Sequence, residues 1–175
     1  MGGFPDYYIV DTFNEDLISL STVKSYLRVD EDQEDSLLKL FTKSAIEYAE
    51  SFTGLSLTQR LIEANFYNWK IKSFNFPRFP AVAIHSVYVI DSLGKKREIK
   101  KYLYNDKKLS LESEELSGYK LNIIYKAGYT TTTFPAMLAE ALLAHIGVMY
   151  ESRTGEMQAP LRSLNTYLKY KSGRL

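Results

Sequence analysis

The 175-residue chain has no cysteine, two histidines, one tryptophan and five prolines. Without cysteine there is no disulfide framework, thiolate zinc site, iron–sulfur cluster or thiol nucleophile. His85 and His145 are too few for a multi-histidine metal centre. No apolar run approaches the roughly 20 residues needed to cross a bilayer, and no membrane association is expected. The opening residues have neither the basic nor the apolar stretch of a secretory leader, and none is expected. Charge of one sign is not in excess either: 22 Lys+Arg against 21 Asp+Glu give +1. Dedicated duplex-DNA binders are usually strongly basic, so this balance argues against that class.

The balance hides a polarity. Residues 1–35 hold nine acids and two bases, a net of −7. Residues 95–108 hold seven bases and two acids, a net of +5, and residues 153–175 carry a net of +4. Solvated faces explain such runs in many proteins. Opposite charges at separate ends also suit head-to-tail contacts between copies, which close into rings or run into filaments.

Along the chain, residues 1–18 show no clear period: Phe4, Tyr7, Tyr8 and Phe13 alternate with acids, as in an extended arm that docks its rings outside the core. Ser19 or Ser21 caps a short helix at about 21–29. The acidic run Asp30–Asp35 favours the positive end of the next helix. It lacks the turn glycine of a calcium loop at the sixth position, which is Asp35. A long helix at about 33–53 repeats Leu37, Leu38, Phe41, Ala45, Tyr48, Ala49 and Phe52 at three- and four-residue spacing, and Gly54 ends it. Glu47 and Glu50 read as surface acids of this helix.

Residues from about 60 to 128 read as β structure. Ile62, Ala64 and Phe66 alternate with Leu61, Glu63, Asn65 and Tyr67. Pro77 and Pro80 interrupt the next stretch or place it at an edge. Strands follow at IHSVYVID, KYLYND, KLSLE and GYKLNIIYKAGY. A nearly all-apolar helix at about 135–152, with Thr133 or Phe134 as cap and Pro135 in its first turn, is suited to burial at a core or subunit interface. Gly147 and the alanines leave room there for close backbone approach. His145 reads as a core histidine and His85 as structural. In the tail, 156–175, a short helix at Leu161–Tyr170 carries Leu161, Leu164 and Leu168 as a narrow stripe. Outside the core, such a helix needs a partner surface.

The chain holds no GxSxG, GxGxxG or Walker-A pattern and no nucleophile–base constellation, so no enzyme, cofactor or metal is expected. Lys95, Lys96, Arg97, Lys100 and Lys101 lie beside Tyr102 and Tyr104. They are candidates for transient, sequence-blind and salt-sensitive DNA contact. The fold expected is α+β, mainly α: a helical bundle with a small antiparallel β part and extended arms. The domain limits are an arm at 1–18, a central domain at 19–155 and a tail at 156–175.

Several motifs in order resemble the tailed-phage head–tail connector family, also called adaptor or head-completion proteins. They begin with Leu20, Leu27-Arg28-Val29, the acidic break, and Glu50-Ser51-Phe52-Thr53-Gly54. They continue with Pro80, Ser86–Val89, Asp91 and Gly94, then Tyr125-Lys126-Ala127-Gly128-Tyr129. Phe134-Pro135, Tyr150-Glu151-Ser152-Arg153 and the ending Leu161-Arg162-Ser163-Leu164…Tyr167-Leu168-Lys169 complete the set. The family usually has arginine after that last tyrosine, and the arm to Asp16 has no counterpart in it.

The resemblance implies a non-catalytic protein of a phage, prophage or gene transfer particle. Such a protein sits at the head–tail junction and is made in the bacterial cytoplasm. It would form a ring on the portal protein, of twelve copies if it matches the portal, extend the DNA channel and dock a tail or stopper protein. Leu161, Arg162, Leu164, Tyr167, Leu168 and Lys169 are the expected portal contacts. Deleting Arg162–Leu175 is expected to spare the fold and abolish portal binding. Glu112, Glu114 and Glu115 are candidates for a lumen that does not grip DNA. A DNA-packaging accessory protein, binding DNA through the basic segment, is the alternative.

Overall fold

The computed structural model describes residues 5–13, 16–69, 72–112, 118–152 and 158–171. The elements, in chain order, are β1 (Asp6–Thr12), α1 (Leu20–Leu27), a 3-10 turn (Asp32–Glu34), α2 (Asp35–Thr53), β2 (Arg60–Trp69), β3 (Ser73–Asn75), β4 (Ala81–Ile90), β5 (Lys96–Glu98), β6 (Tyr102–Tyr104), β7 (Lys108–Leu111), β8 (Gly118–Ala127), α3 (Ala136–Glu151) and α4 (Leu161–Tyr170). The fold is α+β, and strand (34%) nearly matches helix (38%), so the β part is no minor appendage. The chain divides into two compact units. One comprises residues 1–14 and 58–128, the other residues 15–57 and 129–175.

The described strands of the first unit are all paired antiparallel. A five-stranded sheet runs in the order β1-β2-β8-β4-β5, and a three-stranded sheet in the order β3-β7-β6. Pro77 and Pro80 fall between β3 and β4, where no ladder bond is lost. Alternation selects the core: Ile62 and Ala64 of β2, Val87 and Val89 of β4, and Leu121, Ile123 and Tyr125 of β8 are buried with Phe74, Phe76, Leu109 and Leu111. The Phe76 ring packs, tilted, against Tyr125 with centroids 4.5 Å apart. The Tyr125 hydroxyl donates to the carbonyl of Arg78 at 2.9 Å, and burial pushes its pKa up. The N-terminal arm is a strand of this unit. β1 pairs along β2 from Asp6↔Asn65 to Thr12↔Arg60, with a bulge between Ile9 and Asp11. Lys126 lies over the Phe13 ring, 4.4 Å from its centroid.

The second unit is helical. Ser19 caps α1 by accepting the Thr22 amide at 3.1 Å. Lys24 donates to Asp32 at 2.6 Å and to Asp35 at 2.9 Å, tying α1 to the start of α2. α3 packs against α2, α4 and α1, burying Leu138, Ala141, Leu142, His145, Ile146 and Met149. His145 meets the Tyr48 ring edge-on at 5.0 Å, inside the core as the sequence suggests. The start of α3 differs from expectation. Pro135 is its N-cap, without a side-chain bond to the helix. Thr133 instead closes the preceding turn, its hydroxyl accepting the Thr130 amide at 2.9 Å. At Gly147 an added Cβ would meet Tyr26 at 3.5 Å, an ordinary contact, so crowding does not require glycine there.

Candidate docking surfaces

α4 has two faces, and they are not the ones its leucines suggest. Ser163, Thr166 and Tyr167 are buried against α3 and α2. The Ser163 hydroxyl donates to the Ala141 carbonyl at 2.7 Å, which lets a small polar side chain sit at a tight helix contact. The Tyr167 ring lies fully buried beside Tyr48 and Phe52, and burial pushes its hydroxyl pKa up. Leu161 and Leu168 face outward, 74% and 54% exposed. Leu164 is half-buried and Lys169 exposed. Arg162 pairs with Glu140 of α3 at 2.5 Å.

Two expectations change here. Tyr167 belongs to the unit's own core, so it is a packing residue and not a surface one. Since α4 is part of that core, removing Arg162–Leu175 would open it; the helix does not wait outside for a partner. The outward residues of the expected set are therefore Leu161, Arg162, Leu168 and Lys169.

The basic segment lies at the far edge of the five-stranded sheet. Lys95, Lys96, Arg97, Lys100 and Lys101 are all exposed, while Ile99 between them is buried. Tyr102 is half-buried and Tyr104 exposed, so only part of the aromatic surface is open. His85 is exposed on β4, and Glu112 is exposed. Glu114 and Glu115 lie outside the described residues. In the helical unit an open groove of about 480 Å³ is lined by Tyr26, Leu27, Ala144, Gly147, Val148 and Pro160 among others. Among the described residues no group of three or more His, Asp or Glu is placed to hold a metal ion, and no helix is long and apolar enough to cross a membrane. Asp32 and Asp35 of the acidic run are engaged by Lys24.

The model of the Phage gp6-like head-tail connector protein family matches residues 17–126. The chain belongs to this family. Solved structures agree on the fold. A chain in the virion of a native gene transfer agent particle superposes with a TM-score of 0.80 at 19% identity, over 97% of this chain and 96% of that one. A chain from the neck of an empty gene transfer agent particle, computed with C6 symmetry, gives 0.78 at 17% identity over 97% of both. One from the neck of a native particle, computed with C12 symmetry, gives 0.68 at 16% identity over 96% and 97%. No curated protein matches the chain. The protein is a phage-type head–tail connector.

Three of the connector motifs end helices or allow a close approach of backbone to backbone. Within Glu50–Gly54, Glu50 is buried, contrary to its expected surface position, and its Oε1 accepts the Leu57 amide at 2.8 Å. Thr53 Oγ1 donates to the Ala49 carbonyl at 2.6 Å and accepts the Leu55 amide at 3.1 Å. Gly54, at φ 82°, returns its amide to the Glu50 carbonyl. In Leu27-Arg28-Val29, Arg28 takes the left-handed conformation at φ 58° and closes α1, its amide bonding back to Lys24 and Ser25. In Tyr125–Tyr129, Gly128 sits at φ 108° where a Cβ would fall 2.2 Å from the Thr58 carbonyl oxygen.

Proposed function

We propose that this connector assembles as a ring on the portal protein, lengthens the DNA channel and offers its other face to a tail or stopper protein. It does so as a scaffold, with no catalysed step and no cofactor. The exposed ridge of α4 carries the portal part of the reading. Leu161 and Leu168 stand out on a helix whose opposite face is already buried, with Lys169 beside them. That is an apolar ridge with a basic flank, fit for a groove on another protein. The ring part draws on family membership and on the neck particles solved with C6 and C12 symmetry. Passing DNA would be touched only transiently.

The test is co-sedimentation with the portal protein. The native chain is expected to bind. Leu161→Asp with Leu168→Asp is expected to keep the fold and weaken binding more than tenfold, since each leucine stabilises a contact by about 1.5–3 kcal/mol when buried. Unchanged binding would overturn the assignment. The second reading, DNA-packaging accessory, is favoured by the open exposure of Lys95–Lys101. Retention on DNA at moderate salt without portal binding would select it.

A further inference from the structure

The five-stranded sheet ends in two strands of opposite character. β1 pairs on one side only, with β2. Its other edge meets no strand among the described residues, yet Tyr8, Ile9 and Val10 are 60%, 49% and 55% exposed. Proteins that keep such an edge to themselves shorten it, charge it, most often with lysine, bulge it, place proline in it or cover it. β1 is seven residues long and holds no lysine and no proline; one bulge and two aspartates are the protection it has. Its only charges are Asp6 and Asp11. At the other end of the sheet stands β5, among the described residues also paired on one side only, and exposed throughout. With its flanks it carries Lys95, Lys96, Arg97, Lys100 and Lys101 against Glu98.

We propose that β1 of one copy pairs edge to edge with β5 of the next copy, so that one sheet continues from subunit to subunit. Each copy then supplies an acidic apolar edge and receives it on a basic one. Such a contact is heterologous and propagates in one direction, as a ring requires. Two β1 strands pairing with each other would bring aspartates of like charge together across the contact, which disfavours a symmetric dimer. β1 precedes the residues that the family model matches. It also gives the basic segment a protein partner in place of DNA. The inference deepens the ring reading and rests on it for closure of the circle.

The absence of cysteine makes the test clean. Ile9→Cys and Arg97→Cys are placed in one chain at two exposed positions, and folding is checked by circular dichroism. The variant is treated with a short bis-maleimide, concentrated alone and mixed with portal protein, and resolved on a denaturing gel, with electron micrographs of the same samples. The double variant is expected to give a ladder of dimers, trimers and higher species. An equal mixture of the two single variants is expected to stop at dimers, and either single variant alone to stay monomeric. Rings in the micrographs without a ladder would overturn the pairing and leave the ring reading standing. Dimers from Ile9→Cys alone would overturn it in favour of β1 self-pairing. A ladder without portal binding would support the pairing and remove the portal reading. Neither rings nor ladder in either sample would overturn both. As a check on charge, Asp6→Lys with Asp11→Lys is expected to lower ladder yield severalfold in the cross-linkable chain. Adding Lys96→Glu and Lys100→Glu is expected to restore it; an unchanged ladder throughout would contradict the electrostatic match.

Discussion

The Glu50 carboxylate accepts the backbone amide of Leu57 at 2.8 Å from inside the helical unit. A glutamate in the last turn of α2 thus fixes the chain three residues beyond the helix's glycine stop. Removing it leaves a buried amide without its acceptor. Glu50→Ala is expected to cost about 1–3 kcal/mol in urea unfolding, and Glu50→Gln, which keeps a carbonyl acceptor, clearly less. Equal losses for both would show that charge, not the amide bond, is what matters.

Two glycines are expected to respond with opposite signs. Gly128→Ala forces a Cβ into the Thr58 backbone at a positive φ and should lose more than about 1 kcal/mol. Gly147 lies within α3 with only ordinary contacts awaiting a methyl group. Gly147→Ala should gain about 0.5–1 kcal/mol from helix propensity and chain entropy. Thermal melts of the two variants, side by side, decide both.

The Lys24–Asp32 contact carries a pH signature. The hydrogen bond from Lys24 holds the Asp32 carboxyl below the usual carboxylate range, and the bond to Asp32, with that to Asp35, holds Lys24 above its ordinary value. A lowered aspartate stabilises the fold above its unfolded pKa and loses that contribution as pH falls through the lowered value. A raised lysine stabilises below its unfolded pKa and loses its contribution as pH rises through the raised one. Asp32→Asn is therefore expected to lower stability modestly between about pH 5 and 9 and to converge with the native chain in acid, given unfolded values of about 3.9 and 10.4. Because Asp32 is exposed, the difference should shrink in high salt. A gap that widens in acid would contradict the assignment.

On α4 the two faces separate by experiment. Tyr167→Ala empties a buried site and should cost about 3–5 kcal/mol, as large aromatic truncations do. Leu161→Asp and Leu168→Asp should leave the melting temperature nearly unchanged and act on portal binding alone. If the leucine variants melt early, the outward face is structural after all.

Much of this architecture was legible in the sequence, and the failures share a cause. Long α2 announced itself by period, α3 by its nearly unbroken apolar run, and β2 by alternation, because each buries many apolar residues. α4 misled because its buried face is Ser163, Thr166 and Tyr167; a serine that bonds a neighbouring helix's carbonyl does not register as apolar. β1 showed no alternation because six of its seven residues are exposed, on both faces of the strand. Glu50 looked like a surface acid because its partner is a backbone amide, which leaves no mark in the side-chain pattern. The basic segment was legible as exposed charge, but its place opposite β1 in one sheet depends on strand order, which residue patterns do not encode. The joining of residues 1–14 to 58–128 in one unit is likewise a matter of long-range pairing.

The proposed function requires a ring on a portal. The measurement that tests it most directly is the mass and electron-microscopic image of the chain alone and mixed with its cognate portal protein. Rings coaxial with the portal are expected, with the Leu161 and Leu168 side chains at the junction. A chain that remains monomeric and never joins the portal at any concentration would contradict it.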